Sequence, residues 1–85
     1  MEANYYTGID ISKKRLDWQV NDGQNRPLAI GDIGNSPDGI RELLEKWTHQ
    51  GISLEKMVVC FEHTGAYGLL LAAMLEEAAK TNHEN

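Results

Sequence analysis

The sequence predicts an α/β fold whose elements follow the order β-β-β-α-β-α. In residues 15–21, apolar and polar residues alternate, which is typical of a half-exposed strand. Further along, apolar residues recur at intervals of three and four, as they do on the buried side of a helix. A short run that is apolar throughout separates the two helical segments. With 85 residues, the chain forms at most one small domain.

Three strands are predicted before the first helix. The first covers residues 4–11 and the second residues 15–21, close enough in sequence to pair as an antiparallel hairpin. Their apolar faces consist of Tyr5, Thr7, Ile9, Ile11, Leu16, Trp18 and Val20. Turn residues 21–25 (NDGQN) lead to a third strand from Pro27 to about Ile33, in which Gly31 is typical of a bulge or an edge strand.

Two helices are predicted. Ser36 caps the first, Pro37 suits its first turn, and Gly51 provides the left-handed residue that ends it. Its apolar stripe consists of Ile40, Leu43, Leu44 and Trp47. The second helix begins at Thr64 or Gly65, and its apolar side consists of Tyr67, Leu70, Leu71, Met74, Leu75 and Ala78. We expect residues 1–80 to form the domain and residues 81–85 a disordered tail.

The run Met57–Phe61 is apolar at every position, which predicts a strand buried on both faces and parallel to the first. The crossover into it should be right-handed. The strand order 3-2-1-4 of ribonuclease-H-like folds satisfies that rule, so we expect a mixed sheet of this type, truncated before the fifth strand. Without that strand and a later helix, the exposed edge predicts a homo-oligomer.

Composition limits the possible functions. The chain carries 13 acidic and 8 basic residues, a formal net charge of −5, which argues against nucleic-acid binding by charge alone. No apolar run approaches the ~20 residues of a membrane span. Cys60, the single cysteine, can form no internal disulfide, so a cytoplasmic setting is expected.

Two carboxylates occupy matching positions in the predicted sheet. Asp10 is the only charge in its strand and lies near its end, and Glu62 directly follows the apolar run Met57–Phe61. If these strands are parallel neighbours, both carboxylates emerge where ligands usually bind in an open α/β sheet. Oxygen ligands of this kind suit a hard divalent cation such as Mg²⁺.

The one basic cluster, Lys13-Lys14-Arg15, follows soon after Asp10. There it could contact phosphates of a nucleic acid. Such short charge runs are more often simply solvated, so the cluster is a weak indicator of nucleic-acid binding.

Three segments, residues 6–14 (YTGIDISKK), 35–39 (NSPDG) and 62–67 (EHTGAY), carry a family resemblance in their order and spacing. Together they resemble the amino-terminal part of the DEDD-type insertion-sequence transposases, relatives of the pilin-gene DNA invertases. The resemblance implies a partial RuvC-like nuclease domain. In that family, four acidic residues hold divalent metal ions, Mg²⁺ or Mn²⁺, that act on DNA. Asp10 matches the first acidic residue and Glu62 the second, and an element-encoded guide RNA is a further implied partner.

Two alternatives stay open at the level of sequence. An actin-like ATPase or sugar kinase also has Gly-x-Asp at the end of its first strand, but its phosphate loop usually continues with Gly and Thr or Ser. Here Ile11, Ser12, Lys13 and Lys14 follow instead. A non-catalytic interaction module of the same fold is favoured by the net acidity.

Overall fold

The computed structural model describes residues 3–61 and 66–83. Four strands form one sheet in the order β3-β2-β1-β4, as predicted. The strands are β1 (Tyr5–Ile11), β2 (Arg15–Asp22), β3 (Pro27–Gly34) and β4 (Met57–Phe61). The helices are α1 (Pro37–His49) and α2 (Leu69–His83), and short 3₁₀ turns at Leu54–Lys56 and Ala66–Gly68 precede β4 and α2.

Strand directions follow from the connections. A tight turn joins β1 to β2, and a longer one joins β2 to β3, so both pairs are antiparallel. Helix α1 carries the chain across the sheet to β4, which therefore runs parallel to β1, with Tyr5 opposite Met57 and Ile9 opposite Phe61. The carboxyl ends of β1 and β4 consequently lie side by side.

One face of the sheet, the covered face, holds the core. Its fully buried residues come from β1 and β2 and from α1, and Leu71 of α2 joins them: Thr7, Leu16, Val20, Ile40, Leu43, Trp47 and Leu71. The rings of Trp18 and Trp47 meet edge to face at 5.9 Å, which joins the sheet to α1. Both tryptophans are core residues, as predicted from their apolar faces.

Helix α1 begins and ends as its sequence predicts. The Ser36 backbone is extended, and its Oγ accepts a hydrogen bond from the Gly39 N–H at 3.1 Å. Pro37 follows in the first turn, where no backbone N–H is needed. At the other end, Gly51 adopts a φ of +74°, the left-handed conformation that glycine accepts without strain.

Gly31 lies in an edge strand, as predicted, because β3 is at the end of the sheet, but it does not lie at a bulge. The bulge in the β2–β3 pair lies between Val20 and Asn21, whereas Gly31 is regularly paired with Trp18. A Cβ atom at position 31 would lie 2.8 Å from Cζ2 of the Trp18 indole. Glycine is therefore required because the Trp18 ring packs directly on this backbone.

The opposite face of the sheet, the open face, is not covered by any described element. It carries Tyr6, Gly8, Asp10, Asp17, Gln19, Asn21, Leu28, Ile30, Asp32, Val58 and Cys60. The prediction that Met57–Phe61 is buried on both faces was therefore wrong for the described residues, because β4 is an edge strand with Val58 and Cys60 exposed. An apolar run alone does not reveal whether a second layer is present.

The start of the second helix also differs from the prediction. Residues 64 and 65 lie outside the described residues, and Ala66–Gly68 forms a 3₁₀ turn before α2 begins at Leu69. Tyr67 was assigned to the apolar side of this helix, but it belongs to the 3₁₀ turn and is 51% exposed. The helix continues to His83.

Candidate active site

Asp10 lies on the open face near the carboxyl end of β1, and its side chain is exposed. The alternation of β1 places it there, because its neighbours Ile9 and Ile11 point toward the core. Within residues 3–61 and 66–83, no hydrogen bond or ion pair engages the Asp10 carboxylate. Both of its oxygens are thus available to a ligand.

Two further carboxylates lie beside Asp10 on the open face. Asp17 of β2 is directly opposite Asp10, and Asp32 of β3 is directly opposite Asp17, so the three form a row across the sheet. Arg15 Nε donates to Asp17 Oδ2 at 3.2 Å, and this surface ion pair partly offsets the charge of the row.

This row of carboxylates was not predicted, although the sequence is sufficient to predict that Asp10 and Asp17 lie opposite each other. A hairpin whose turn is centred on Lys13 and Lys14 necessarily sets Ile11 against Leu16 and Asp10 against Asp17. Asp32 could not be placed in the same way, because the bulge at Val20 and Asn21 shifts the register of the second hairpin.

The row borders a shallow depression of about 620 Å³ on the open face. Its lining includes Gly8, Gln19 and Ile30 besides the three carboxylates. The space above Gly8 is open, since a Cβ atom added there would have no neighbour within 4 Å. The surface next to Asp10 is consequently open enough for an extended ligand.

Glu62, the second predicted ligand, lies outside the described residues. Its neighbour Phe61 is the last residue of β4 and pairs with Ile9, the residue before Asp10. In the described part of the chain, the residues that precede Asp10 and Glu62, namely Ile9 and Phe61, are therefore direct neighbours.

The basic cluster is divided by the structure. Lys13 and Lys14 form the exposed β1–β2 turn, close in the chain to Asp10. Arg15 begins β2, and its side chain is directed to Asp17. Lys13 and Lys14 make no ion pair within the described ranges, so these two side chains are the better placed to meet a phosphate.

The donor chemistry at this end of the sheet fits a hard divalent cation, since it offers carboxylate oxygens without histidine or thiolate in the row. Among the described residues, however, no group of three or more acidic, histidine or cysteine side chains could hold a metal ion.

The strand order, the mixed directions and the two helices define the class: this is an α/β domain of the ribonuclease-H-like type. A family model described as "Transposase", that of the DEDD transposases of IS110 type, matches residues 7–83. The chain belongs to this transposase family. No curated protein matches it.

Family membership bears on the first of the alternatives left open by the sequence. It favours a transposase domain over an ATPase or sugar kinase, and it makes DNA the implied partner. In the described part of the chain, neither helix is long and apolar enough to cross a membrane.

Proposed function

We propose that this chain supplies the first two acidic ligands, Asp10 and Glu62, of a divalent-metal centre that cleaves and joins DNA strands during transposition. The parallel pairing of β1 with β4 carries the proposal. It sets Ile9 opposite Phe61, and each of these residues is directly followed in the sequence by an acidic residue, Asp10 or Glu62. Carboxylates that follow adjacent parallel strands occupy the usual ligand site of an open α/β sheet.

The residues of the chain would act mainly through the positions of their charged side chains. Asp10, exposed and unpaired among the described residues, would bind Mg²⁺ or Mn²⁺ through its oxygens, with Glu62 as the second ligand. When bound, such ions activate an attacking oxygen and stabilise a leaving one in phosphodiester chemistry. Lys13 and Lys14 would hold a DNA phosphate next to this site, which offsets the net acidity of the chain.

Two further acidic ligands are implied by the family and would come from elsewhere in the transposase. The element-encoded guide RNA is proposed as a partner of the transposase as a whole and is assigned to no residue of this chain.

The proposal is tested by amide substitutions in the transposase that carries this chain. Asp10→Asn and Glu62→Gln should each lower DNA recombination at least about 100-fold, because each removes a charged metal ligand but preserves side-chain shape. The matched control is Asp32→Asn, which makes the same change on the same face, two strands away from Asp10. It should keep recombination within about threefold.

Circular dichroism should show that all three variants are folded. Near-normal recombination by folded Asp10→Asn and Glu62→Gln proteins would contradict the proposal. An equally large loss in Asp32→Asn would contradict it too, because the whole carboxylate row rather than the β1–β4 end would then be required.

A further inference from the structure

Asn35 connects three parts of the chain through one residue. Its side-chain Nδ2 donates to the Ser12 carbonyl at 2.9 Å and to the Tyr67 carbonyl at 2.8 Å. Its backbone N–H donates to the Lys14 carbonyl at 3.0 Å. Ser12 and Lys14 belong to the turn that follows Asp10, and Tyr67 belongs to the 3₁₀ turn before α2. Asn35 therefore joins the β1–β2 turn to the turn that precedes α2.

A primary amide is particularly suited to this position. Its nitrogen carries two hydrogens, one for each carbonyl, whereas a carboxylate would repel both acceptors. The other amide atom, Oδ1, is buried and has no hydrogen-bond partner in the described part of the chain.

Asn35 lies next to a closely packed segment of backbone at the start of α1. It directly precedes Ser36, the cap of α1, and the backbone of Gly39 in the first turn packs against that of Gly34, leaving no room for a Cβ atom. Side chains on rigid elements position their partners more precisely than side chains on loops do. The Asn35 amide is thus a fixed point relative to the sheet.

The turn before α2 lies against the ends of the two parallel strands, β1 and β4. A Cβ atom at Gly68 would be 3.3 Å from Ile11 Cδ1 and 3.6 Å from Phe61 Cε2. This close packing is independent of the Asn35 hydrogen bonds and places the same turn over the same ends. Two separate observations therefore fix the turn against the carboxyl ends of β1 and β4.

We propose that Asn35 is a positioning residue that holds the β1–β2 turn and the 3₁₀ turn Ala66–Gly68 at a fixed separation, so that Asp10 and Glu62 can share a metal ion. This inference rests on the proposed function. Asn35 itself contacts neither the metal nor DNA in this proposal. It acts through the backbone carbonyls of Ser12 and Tyr67.

The test follows Mn²⁺ binding by NMR, using paramagnetic broadening of the backbone amides of Ile11, Ser12, Tyr67 and Gly68. Asn35→Ala should weaken Mn²⁺ binding about tenfold, as loss of an outer-shell partner typically does. Asn35→Asp keeps the shape but removes the donors, so it should bind Mn²⁺ no more tightly than Asn35→Ala. If the alanine variant does not fold, the isosteric aspartate variant carries the test.

The matched control is Asn21→Ala. The Asn21 amide also donates a side-chain hydrogen bond, to Asn25 Oδ1 at 3.0 Å, but at the opposite end of the sheet. This variant should bind Mn²⁺ like the unaltered chain. In the transposase, recombination lost in Asn35→Ala should return when Mn²⁺ is raised about tenfold, which a merely structural role would not produce.

Unchanged Mn²⁺ affinity in a folded Asn35→Ala chain would overturn the inference. Tighter binding by Asn35→Asp than by the unaltered chain would also overturn it, because Asn35 would then act through charge near the metal. Failure of the proposed function itself would give a different result. The unaltered chain would then show no broadening at Ile11 or Gly68.

Discussion

Asp22 shows how a single carboxylate organises the turn between β2 and β3. Its Oδ1 accepts the backbone N–H groups of Gln24 at 2.8 Å and Arg26 at 3.0 Å, and its Oδ2 accepts Arg26 Nε at 2.9 Å. Asn25, at a φ of 62°, provides the left-handed residue that the turn needs. These hydrogen bonds, the backbone bond from Arg26 first, lower the pKa of Asp22 from its ordinary value of 3.8.

This lowered pKa gives a pH-dependent prediction. A carboxylate whose pKa is lower in the folded chain contributes stability above its unfolded pKa, and that contribution is lost as the pH falls through the folded pKa. Asp22→Asn should therefore lower the melting temperature at pH 6, and the difference from the unaltered chain should shrink as the pH falls below about 3.8. Thermal unfolding at a series of pH values measures this difference.

Arg26→Gln is the control, because it removes the guanidinium but keeps the backbone N–H that is the largest cause of the shift. It should preserve most of the pH dependence. A titration of the Asp22 carboxyl by NMR that gave a pKa at or above 3.8 would contradict the assignment.

Sequence reasoning at the residue scale succeeded where one residue decides the local structure. The turn at residues 21–25, the Ser36 cap and the Gly51 stop were predicted correctly, since each depends on hydrogen bonds or φ angles of neighbouring residues. It missed the Asp10–Asp17–Asp32 row and the Asn35 amide, because those depend on register and on partners 23 and 32 residues away in the chain. The role of Glu62 stays a prediction.

At the scale of the elements, periodicity was sufficient for β1, β2 and α1. The alternating faces of β1 and β2 and the stripe of α1 became the core because both patterns repeat over the whole element. Periodicity was insufficient for β4 and for the start of α2. The exposure of β4 depends on what covers the sheet, and the 3₁₀ turn before α2 contains residues that also fit a helix.

Ser36 provides the prediction at this scale, because it closes the first turn of α1. Ser36→Ala should destabilise the chain by about 1 kcal/mol, the usual cost of losing a helix cap. The matched control is Ser53→Ala, since Ser53 occupies the same position before the 3₁₀ turn Leu54–Lys56 but makes no capping hydrogen bond. That variant should stay within about 0.5 kcal/mol of the unaltered chain. Urea unfolding compares the two, and equal losses would show that the Ser36 hydrogen bond is not what stabilises α1.

For the molecule as a whole, the main feature is the difference between the two faces of the sheet. The covered face is sealed by α1 and α2, whereas the open face leaves four large apolar side chains exposed to 37–74%: Tyr6, Leu28, Ile30 and Val58. The edge strand β4 adds backbone groups without a neighbouring strand on one side in the described residues. Exposed apolar surface next to a free strand edge favours association.

We therefore expect this 85-residue chain to self-associate through β4 and the open face. Sedimentation velocity over a range of concentrations should show a reversible oligomer. Val58→Lys should weaken it at least about tenfold, because a lysine on an edge strand must be desolvated when another strand pairs there.

Leu69→Lys is the matched control: it also replaces an exposed apolar residue with lysine, but on α2, so the oligomer should persist. A concentration-independent monomer whose Met57–Phe61 amides are protected from hydrogen exchange would contradict this prediction, because β4 would then be stable as a free edge.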